Sequence, residues 1–243
     1  MLFILGSTLL LTISCGDPIS APDCENDIDT ACFKGVFRTL LGQPVEGVQL
    51  CVYGSDSIPC TQTDVSGQWK IPGLPMDEDI AITAEHEEYV SSLFGQHTSM
   101  DWYDWYKVAI PKSIMNTNAN RLDVDLNSTK GHILFLTWEG LNIDGIDTPN
   151  VEGVQLANAD SFEYAFYGDA LGLAADNLTE TSGSGSGGVL NLIEGIHTLS
   201  FKGITGDCVD THMFHYKPIA DGVPVPVIPG FTTAIDIICP PSN

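Results

Sequence analysis

Basic residues are scarce in this sequence. Lys and Arg together number 9, whereas Asp and Glu number 32, which gives a formal net charge of −23 at pH 7. Proteins that bind nucleic acids neutralise phosphates with stripes of basic side chains, so we expect no nucleic-acid partner. The negative charge would permit cation binding, but it is more often the mark of a soluble, self-repelling surface.

The sequence also lacks the short motifs that mark common catalytic and metal centres. It has no Cys-x-x-Cys pair for zinc or redox chemistry, no His-Glu-x-x-His and no Gly-x-Ser-x-Gly. His212 and His215 are the closest histidine pair, and their spacing would place them on opposite faces of a strand. We therefore predict no cofactor, no metal site and no catalytic residue.

No uncharged apolar run is long enough to span a bilayer as a helix. The first fourteen residues, MLFILGSTLLLTIS, instead suit the hydrophobic region of a signal peptide. The end of this run and the two residues that follow it, Thr12-Ile13-Ser14-Cys15-Gly16, resemble the lipobox of bacterial lipoproteins. That resemblance implies cleavage before Cys15 and its acylation, and Gly16 at the next position implies the outer membrane. The alternative is an ordinary secreted protein cut near Ser14.

Seven cysteines are present, an odd number for an exported protein. If Cys15 carries lipid, six cysteines remain, and six allow fifteen disulfide patterns. The short separations favour the pairs Cys24–Cys32, Cys51–Cys60 and Cys208–Cys239.

Beyond an acidic, proline-containing tether (15–31), the chain is patterned for strands. Val48, Leu50 and Val52 alternate with Gln49, Cys51 and Tyr53, the period of two that is typical of a β-strand with one buried face. Gly (24) and Pro (14) supply many turns, and no sustained helical stripe is apparent. We predict an all-β fold.

Residues 34 to about 94 resemble the carboxypeptidase-regulatory-like domain, a seven-stranded, transthyretin-like β-sandwich. The resemblance rests on five elements in order: Gly35-Val36-Phe37, Gly42 to Val48, Thr61 to Trp69, Gly73-Leu74-Pro75 and Ala84 to Tyr89. It implies a display or binding module.

The hexapeptide VEGVQL occurs at 45–50 and again at 151–156. Around the second occurrence, 131–138 stands where Gly35-Val36-Phe37 stood, and 181–190 takes the place of 63–69. A repeat of this kind indicates duplication. We therefore predict two tandem transthyretin-like or Ig-like β-sandwiches, at 32–127 and 128–243, the second being a degenerate copy.

An aromatic run provides the candidate binding residues. Trp102, Tyr103, Trp105 and Tyr106 would place rings on both faces of a strand, so they cannot all enter one core. They could form an exposed platform for a sugar ring or a protein partner. The alternative is that they cover the junction between the two sandwiches.

These features predict a non-catalytic cell-envelope lipoprotein that displays β-sandwich modules for binding, adhesion or structural roles. The alternative function is an accessory carbohydrate-binding surface protein. Ferric intradiol dioxygenases share this type of sandwich, but the two tyrosines and the closely spaced His-x-His of that class are not matched in this sequence.

Overall fold

The computed structural model of this chain describes residues 30–98, 104–139, 150–202, 209–210, 217–218 and 222–239. Strands dominate these ranges, so the predicted all-β fold is confirmed. No helix in the described ranges is long and apolar enough to cross a membrane. The predicted signal peptide, Cys15 and nearly all of the tether lie outside the described residues.

The first half of the chain forms a sandwich of two sheets. Its strands are β1 (Ala31–Arg38), β2 (Gln49–Val52), β3 (Thr61–Gln62), β4 (Gln68–Leu74), β5 (Asp79–Glu85), β6 (Ser92–His97) and β7 (Asp104–Val108). One sheet has the order β4-β1-β7, with β7 parallel to β1, and the other contains β3-β2-β5-β6, all antiparallel. Side chains from both sheets meet in the core, where the ring centroids of Trp69 and Phe94 are 6.0 Å apart.

The second half repeats this plan with additions. Its strands are β8 (Gly131–Glu139), β9 (Gln155–Leu156), β10 (Ala165–Gly168), β11 (Ala174–Ala175), β12 (Ser186–Leu192), β13 (Gly195–Leu199), β14 (Phe201–Lys202), β15 (Val209–Asp210), β16 (Lys217–Pro218), β17 (Val223–Val227) and β18 (Thr232–Cys239). Strands β12, β8 and β18 correspond to β4, β1 and β7, whereas the β9–β14 and β13–β17 pairs correspond to β2–β5 and β5–β6.

The two halves agree in register, not only in strand order. Val36 lies opposite Gln68 in the first half, just as Leu136 lies opposite Ser186 in the second. Both antiparallel ladders shift register at the same point, and each carries a parallel strand on its other side. Agreement at this level indicates that the repeated sequence marks two copies of one scaffold.

The repeated hexapeptide is held in the first copy by one buried threonine. The Thr63 hydroxyl accepts a hydrogen bond from the Val48 amide (2.9 Å) and donates one to the Val45 carbonyl (2.7 Å). Gly47 lies between these two contacts with φ = +80°, a conformation that glycine adopts without strain. The amide of Gly47 also donates to the Thr63 carbonyl (3.0 Å).

Thr181 makes the same contacts in the second copy. Its hydroxyl accepts from the Val154 amide (3.0 Å) and donates to the Val151 carbonyl (2.8 Å). Gly153 has φ = +79°, and its amide donates to the Thr181 carbonyl (2.8 Å). The backbone of the hexapeptide therefore binds a buried threonine in the same way in both copies.

One cross-strand pair in each copy combines an aromatic residue with a glycine, but in opposite order. Gly35 on β1 lies opposite Trp69, whereas Phe135 on β8 lies opposite Gly187. A Cβ added at Gly187 would overlap the Phe135 ring. The large side chain has moved to the other strand, and the glycine leaves room for it.

Strand β18 joins the two sandwiches. It runs parallel to β8 along its whole length, and its first two residues also pair with β6 of the first copy. Thr232 lies opposite Ser92 and Thr233 opposite Leu93, and the Thr232 amide donates to the Ser91 carbonyl (2.8 Å). One sheet therefore continues from the first sandwich into the second.

Cys51 and Cys60 form a disulfide, with an S–S distance of 2.01 Å. It closes the hairpin that follows β2 in the first copy. Cys32 is disulfide-bonded as well. The remaining cysteines of the predicted pairs lie outside the described side chains: Cys24, Cys208 and Cys239.

The structure contains a helix where the sequence pattern shows none. α1 (Lys112–Arg121) lies between the copies, and it buries only Met115, Asn118 and Ala119. Pro111 occupies its N-cap position and provides no side-chain hydrogen bond. A ten-residue helix with three buried positions, one of them polar, produces no apolar stripe that a sequence pattern could reveal.

Candidate functional site

The two copies differ most in the segment that follows the repeated hexapeptide. Thirteen positions lead from Leu50 to Thr63, whereas twenty-five lead from Leu156 to Thr181. The shorter segment is the disulfide-closed hairpin, and the longer one forms the 3-10 turn Ala159–Ser161 and the hairpin β10–β11. Because binding sites are commonly built on segments added to a shared scaffold, this insertion is the leading location for a site.

A buried phenol attaches the insertion to the scaffold. The Leu156 amide donates a hydrogen bond to the hydroxyl of Tyr167 on β10 (2.7 Å). Tyr167 is buried, and this burial raises the pKa of its phenol above the usual value. In the first copy the corresponding residue, Leu50, lies opposite β3 instead.

Helix α1 packs on the other side of the inserted hairpin. The buried Asn118 side chain accepts a hydrogen bond from the Ala174 amide (3.0 Å). Arg121 donates to the Asp169 carboxylate (2.8 Å) and to the Ala174 carbonyl (3.3 Å). The Arg121 contact, with further amide donors, lowers the pKa of Asp169 below its usual value. The hairpin is therefore fixed both by the scaffold and by the helix.

A surface groove of about 210 Å³ lies between the end of α1 and the inserted hairpin. Phe166 forms its most buried part, with 3% of its surface exposed. The carboxylates of Glu163 and Asp176 are exposed. The groove is lined by Leu122, Glu163, Tyr164, Ala165, Phe166, Ala175, Asp176 and Leu178. It thus combines apolar and acidic side chains, and none of these described lining residues is basic.

Tyr164 lines the groove beside Glu163. Interaction with the adjacent Glu163 carboxylate raises the pKa of Tyr164 above its usual value. The carboxylates of Glu163 and Asp176 provide hydrogen-bond acceptors at the groove.

A second polar cluster joins β6 to the turn before β5. The His97 ring lies 2.8 Å from an Asp79 oxygen through Nδ1 and 3.1 Å from an Asp77 oxygen through Nε2. The His97 side chain is 16% exposed, whereas that of Asp77 is 84% exposed. The hydrogen bond to Asp79, followed by that to Asp77, raises the pKa of His97. The cluster therefore acts as a staple: it links β6 to the start of β5 and to the turn before it. Its residues do not form a metal-binding group, and no such group is found among the described residues.

His132 behaves in the opposite way. It is buried at the start of β8, where its Nδ1 accepts a hydrogen bond from the Asn191 amide (3.1 Å). Desolvation lowers the pKa of His132 to about 4, so the ring is neutral at physiological pH. The Asn191 side chain in turn binds the backbone at Asp125 and Asn127. Through Asn191, His132 therefore helps to hold the segment that links α1 to β8.

The predicted aromatic platform lies largely outside what the structure describes. Trp102 and Tyr103 lie outside the described residues, as do His212 and His215. Trp105 and Tyr106 lie on β7, where the backbone alone is described. The platform therefore stays a prediction. Sequence reasoning missed the groove, although the unequal spacing after the two hexapeptides was a signal that could have located it.

No protein-family model matches this chain, and no curated protein matches it significantly. Among solved structures, it is similar to the TIE protein of Bacillus anthracis, with 12% identity and a TM-score of 0.30 over 87% of this chain and 34% of that one. It is also similar to a streptococcal ancillary pilin, with 12% identity and a TM-score of 0.28 over 90% of this chain and 65% of that one. A third similar structure is the shaft pilin SpaA of Lactobacillus rhamnosus GG, with 11% identity and a TM-score of 0.29 over 88% of this chain and 99% of that one. The chain spans about a third of the length of the first of these proteins and less than two thirds of the second. Similarity at this level indicates no function.

Proposed function

We propose that this chain is a non-catalytic cell-envelope protein in which two joined β-sandwich modules form a rigid support for a binding groove. The pairing of β18 with both β8 and β6 carries the proposal, because it makes one sheet continuous through both modules. A support of this kind would hold the groove in a fixed orientation relative to the first module.

The envelope location rests on the lipobox-like segment around Cys15, and we place the protein at the outer membrane by lipid on that residue. The first module, with three strands in one sheet and four in the other, supports the assignment to the carboxypeptidase-regulatory-like type. Metabolic labelling with palmitate tests the anchor. We expect label in the wild type and in Cys24→Ser, and none in Cys15→Ser. Equal labelling of all three would overturn the anchor.

The rigid junction is tested separately by calorimetry. Thr232→Pro removes the amide that donates to Ser91, so the modules should unfold in two transitions instead of one. Leu40→Pro is the matched control. Leu40 is the second residue of the turn in which the Gly42 amide donates to the Thr39 carbonyl, a position where proline is readily accepted. The Leu40→Pro variant should therefore still unfold in one transition. Two transitions in the wild type would refute the rigid support.

A further inference from the structure

His132 lies where the second module meets the first. It is the second residue of β8 and is 8% exposed. Its register partner on β18 is Thr232, which in turn lies opposite Ser92 of the first module. The Thr232 hydroxyl is also buried, and it finds no hydrogen-bond partner among the described residues. The junction thus already contains one unpaired polar group, so losing the hydrogen bond of His132 would be costly there.

That hydrogen bond fixes the protonation state of the ring. The backbone amide of Asn191 donates to Nδ1 of His132 at 3.1 Å. A backbone amide can only donate, so Nδ1 carries a lone pair and the proton of the neutral ring is on Nε2. A proton added at Nδ1 would point at the amide hydrogen of Asn191. The charged form of His132 and this hydrogen bond therefore exclude each other.

Asn191 extends the contact to the connecting segment, residues 122–130, which links α1 to β8. Its side chain accepts a hydrogen bond from the Asn127 amide (3.0 Å) and donates one to the Asp125 carbonyl (2.9 Å). Asn191 has φ = +56°, and it lies where the ladder between β12 and β8 shifts register. Few residues other than glycine adopt this conformation without support from their surroundings. Both contacts to the connecting segment therefore depend on a residue that His132 helps to hold.

Helix α1 and the connecting segment cover one face of the second module. Met115 and Ala119 of α1 and Val124 of the connecting segment share an apolar cluster with Leu190, the residue before Asn191. Leu134 packs against this cluster and is two residues from His132 on β8, so the two side chains lie on the same face of the strand. Release of Asn191 would therefore loosen the segment that covers this face.

A proton on His132 would be a buried charge without compensation. Burial lowers the pKa of His132 to about 4, and no charged side chain among the described residues offsets this effect. The elements around the ring carry these titratable side chains: Lys112 and Arg121 on α1, Asp123, Asp125 and Lys130 on the connecting segment, Glu194 after β12, Asp236 on β18, His86, Glu87 and Glu88 before β6, and His97 at its end.

We propose that the hydrogen bond between His132 and Asn191 is an acid-sensitive latch, which opens when the ring takes up a proton and releases α1 and the connecting segment from the second module. The latch goes beyond the proposed function, because it names a condition under which the support loosens. In the open form the histidine is solvated and binds a proton below about pH 6.5, whereas the closed form resists protonation. Falling pH therefore favours the open form, by about fiftyfold between pH 7 and pH 4.5.

Amide hydrogen exchange on the full chain, followed by NMR at pH 7 and pH 4.5, tests the latch. The Asn191 amide and the Val124 amide, which donates to the Ala119 carbonyl, report on opening. After correction for the intrinsic effect of pH, their protection should fall by about fiftyfold. Protection of the Thr63 amide, which donates to Val48 in the first module, should change far less.

His132→Asn supplies the decisive variant. Asparagine offers an acceptor oxygen close to the position of Nδ1 but cannot be protonated in this range, so the protection of Asn191 and Val124 should no longer depend on pH. The matched control is His86→Asn, because His86 also accepts a backbone amide through Nδ1, that of Glu88, but in an exposed turn of the first module. This variant should keep the acid response of the wild type.

Three results would overturn the latch. One is equal protection of Asn191 at both pH values in the wild type. Another is an acid response in His132→Asn as large as in the wild type, which would assign it to the carboxylates. The third is read from the wild-type ring, whatever the stability of the variant: a proton on Nδ1 at pH 7 in nitrogen-15 spectra, or a titration midpoint at about 6.5. A single calorimetric transition at pH 7 without an acid response would remove the latch and leave the rigid support standing. Two transitions at pH 7 would remove the support, and the exchange data would still decide on the latch.

Discussion

Replacing the threonine that each hexapeptide encloses tests whether the duplicated clasp stabilises both modules. Thr63→Val keeps the shape of the side chain but removes the hydroxyl, which leaves the buried Val48 amide and the Val45 carbonyl without these partners. An unsatisfied buried polar group costs about 1–3 kcal/mol, so we expect a loss of about 2–5 kcal/mol in the free energy of unfolding. Because Thr181 makes equivalent contacts, Thr181→Val should cost about the same.

Urea denaturation followed by tryptophan fluorescence and circular dichroism measures these losses. Thr→Ser at either site keeps the hydroxyl and should recover most of the stability. Thr179→Val is the control, because Thr179 is exposed and lies two residues from Thr181. In a thermal scan of a chain of this size, each kcal/mol lowers Tm by about 2–4 °C.

The reasoning fails if Thr63→Val changes the unfolding free energy no more than Thr179→Val does. It also fails in part if the cost is large in one copy and negligible in the other, because the hydrogen-bond distances in the two copies agree to within about 0.1 Å. A change in the m-value would instead indicate that the surface exposed on unfolding had changed.

Three other predictions concern packing, sheet edges and pH. Gly187→Ala should destabilise the second module by about 1–3 kcal/mol, because its new methyl would overlap the Phe135 ring, and Phe135→Leu should partly restore stability in the double variant when measured by urea denaturation. Pro224→Thr/Pro226→Thr should produce concentration-dependent self-association in light scattering, because it returns amide donors to the outer edge of β17; an unchanged monomer at high concentration would argue against this. Since the folded pKa of His97 is raised above 6.5, its contribution is complete below pH 6.5 and is lost as pH rises through the folded pKa. His97→Gln should therefore cost more stability at pH 5.5 than at pH 8.5, and an equal cost at both would contradict the staple.

Patterns of period two and the repeated hexapeptide sufficed to predict strands and duplication. Val48 and Leu50 alternate with polar neighbours and are buried, as expected of a strand with one face in the core. Glycine spacing predicted turns but not the reason for the Gly-Ser run that ends at Gly188. The structure shows that Gly187 and Gly188 make room for Phe135 and Phe166, contacts that join strands far apart in the sequence.

The groove and the junction could not be predicted, because both depend on contacts across the chain. Neither Tyr164 nor Asp176 belongs to any motif, and they become neighbours only because the inserted segment folds back as a hairpin. The pairing of Thr232 with Ser92 spans most of the described chain, and no local pattern specifies it. The aromatic run can be recognised from its composition alone, whereas the groove exists only through the folded arrangement of its residues.

The equivalence of the two copies allows corresponding edges of their sheets to be compared. β6 and β17 occupy corresponding places, and the outer edge of β6 receives β18. Pro224 and Pro226 have no amide hydrogen, and because β13 is bonded by the residues between them, these two positions face the outer edge. In the first copy the outer edge of β6 pairs with β18, whereas in the second the Pro226 carbonyl of β17 accepts a hydrogen bond from the Thr233 hydroxyl on β18.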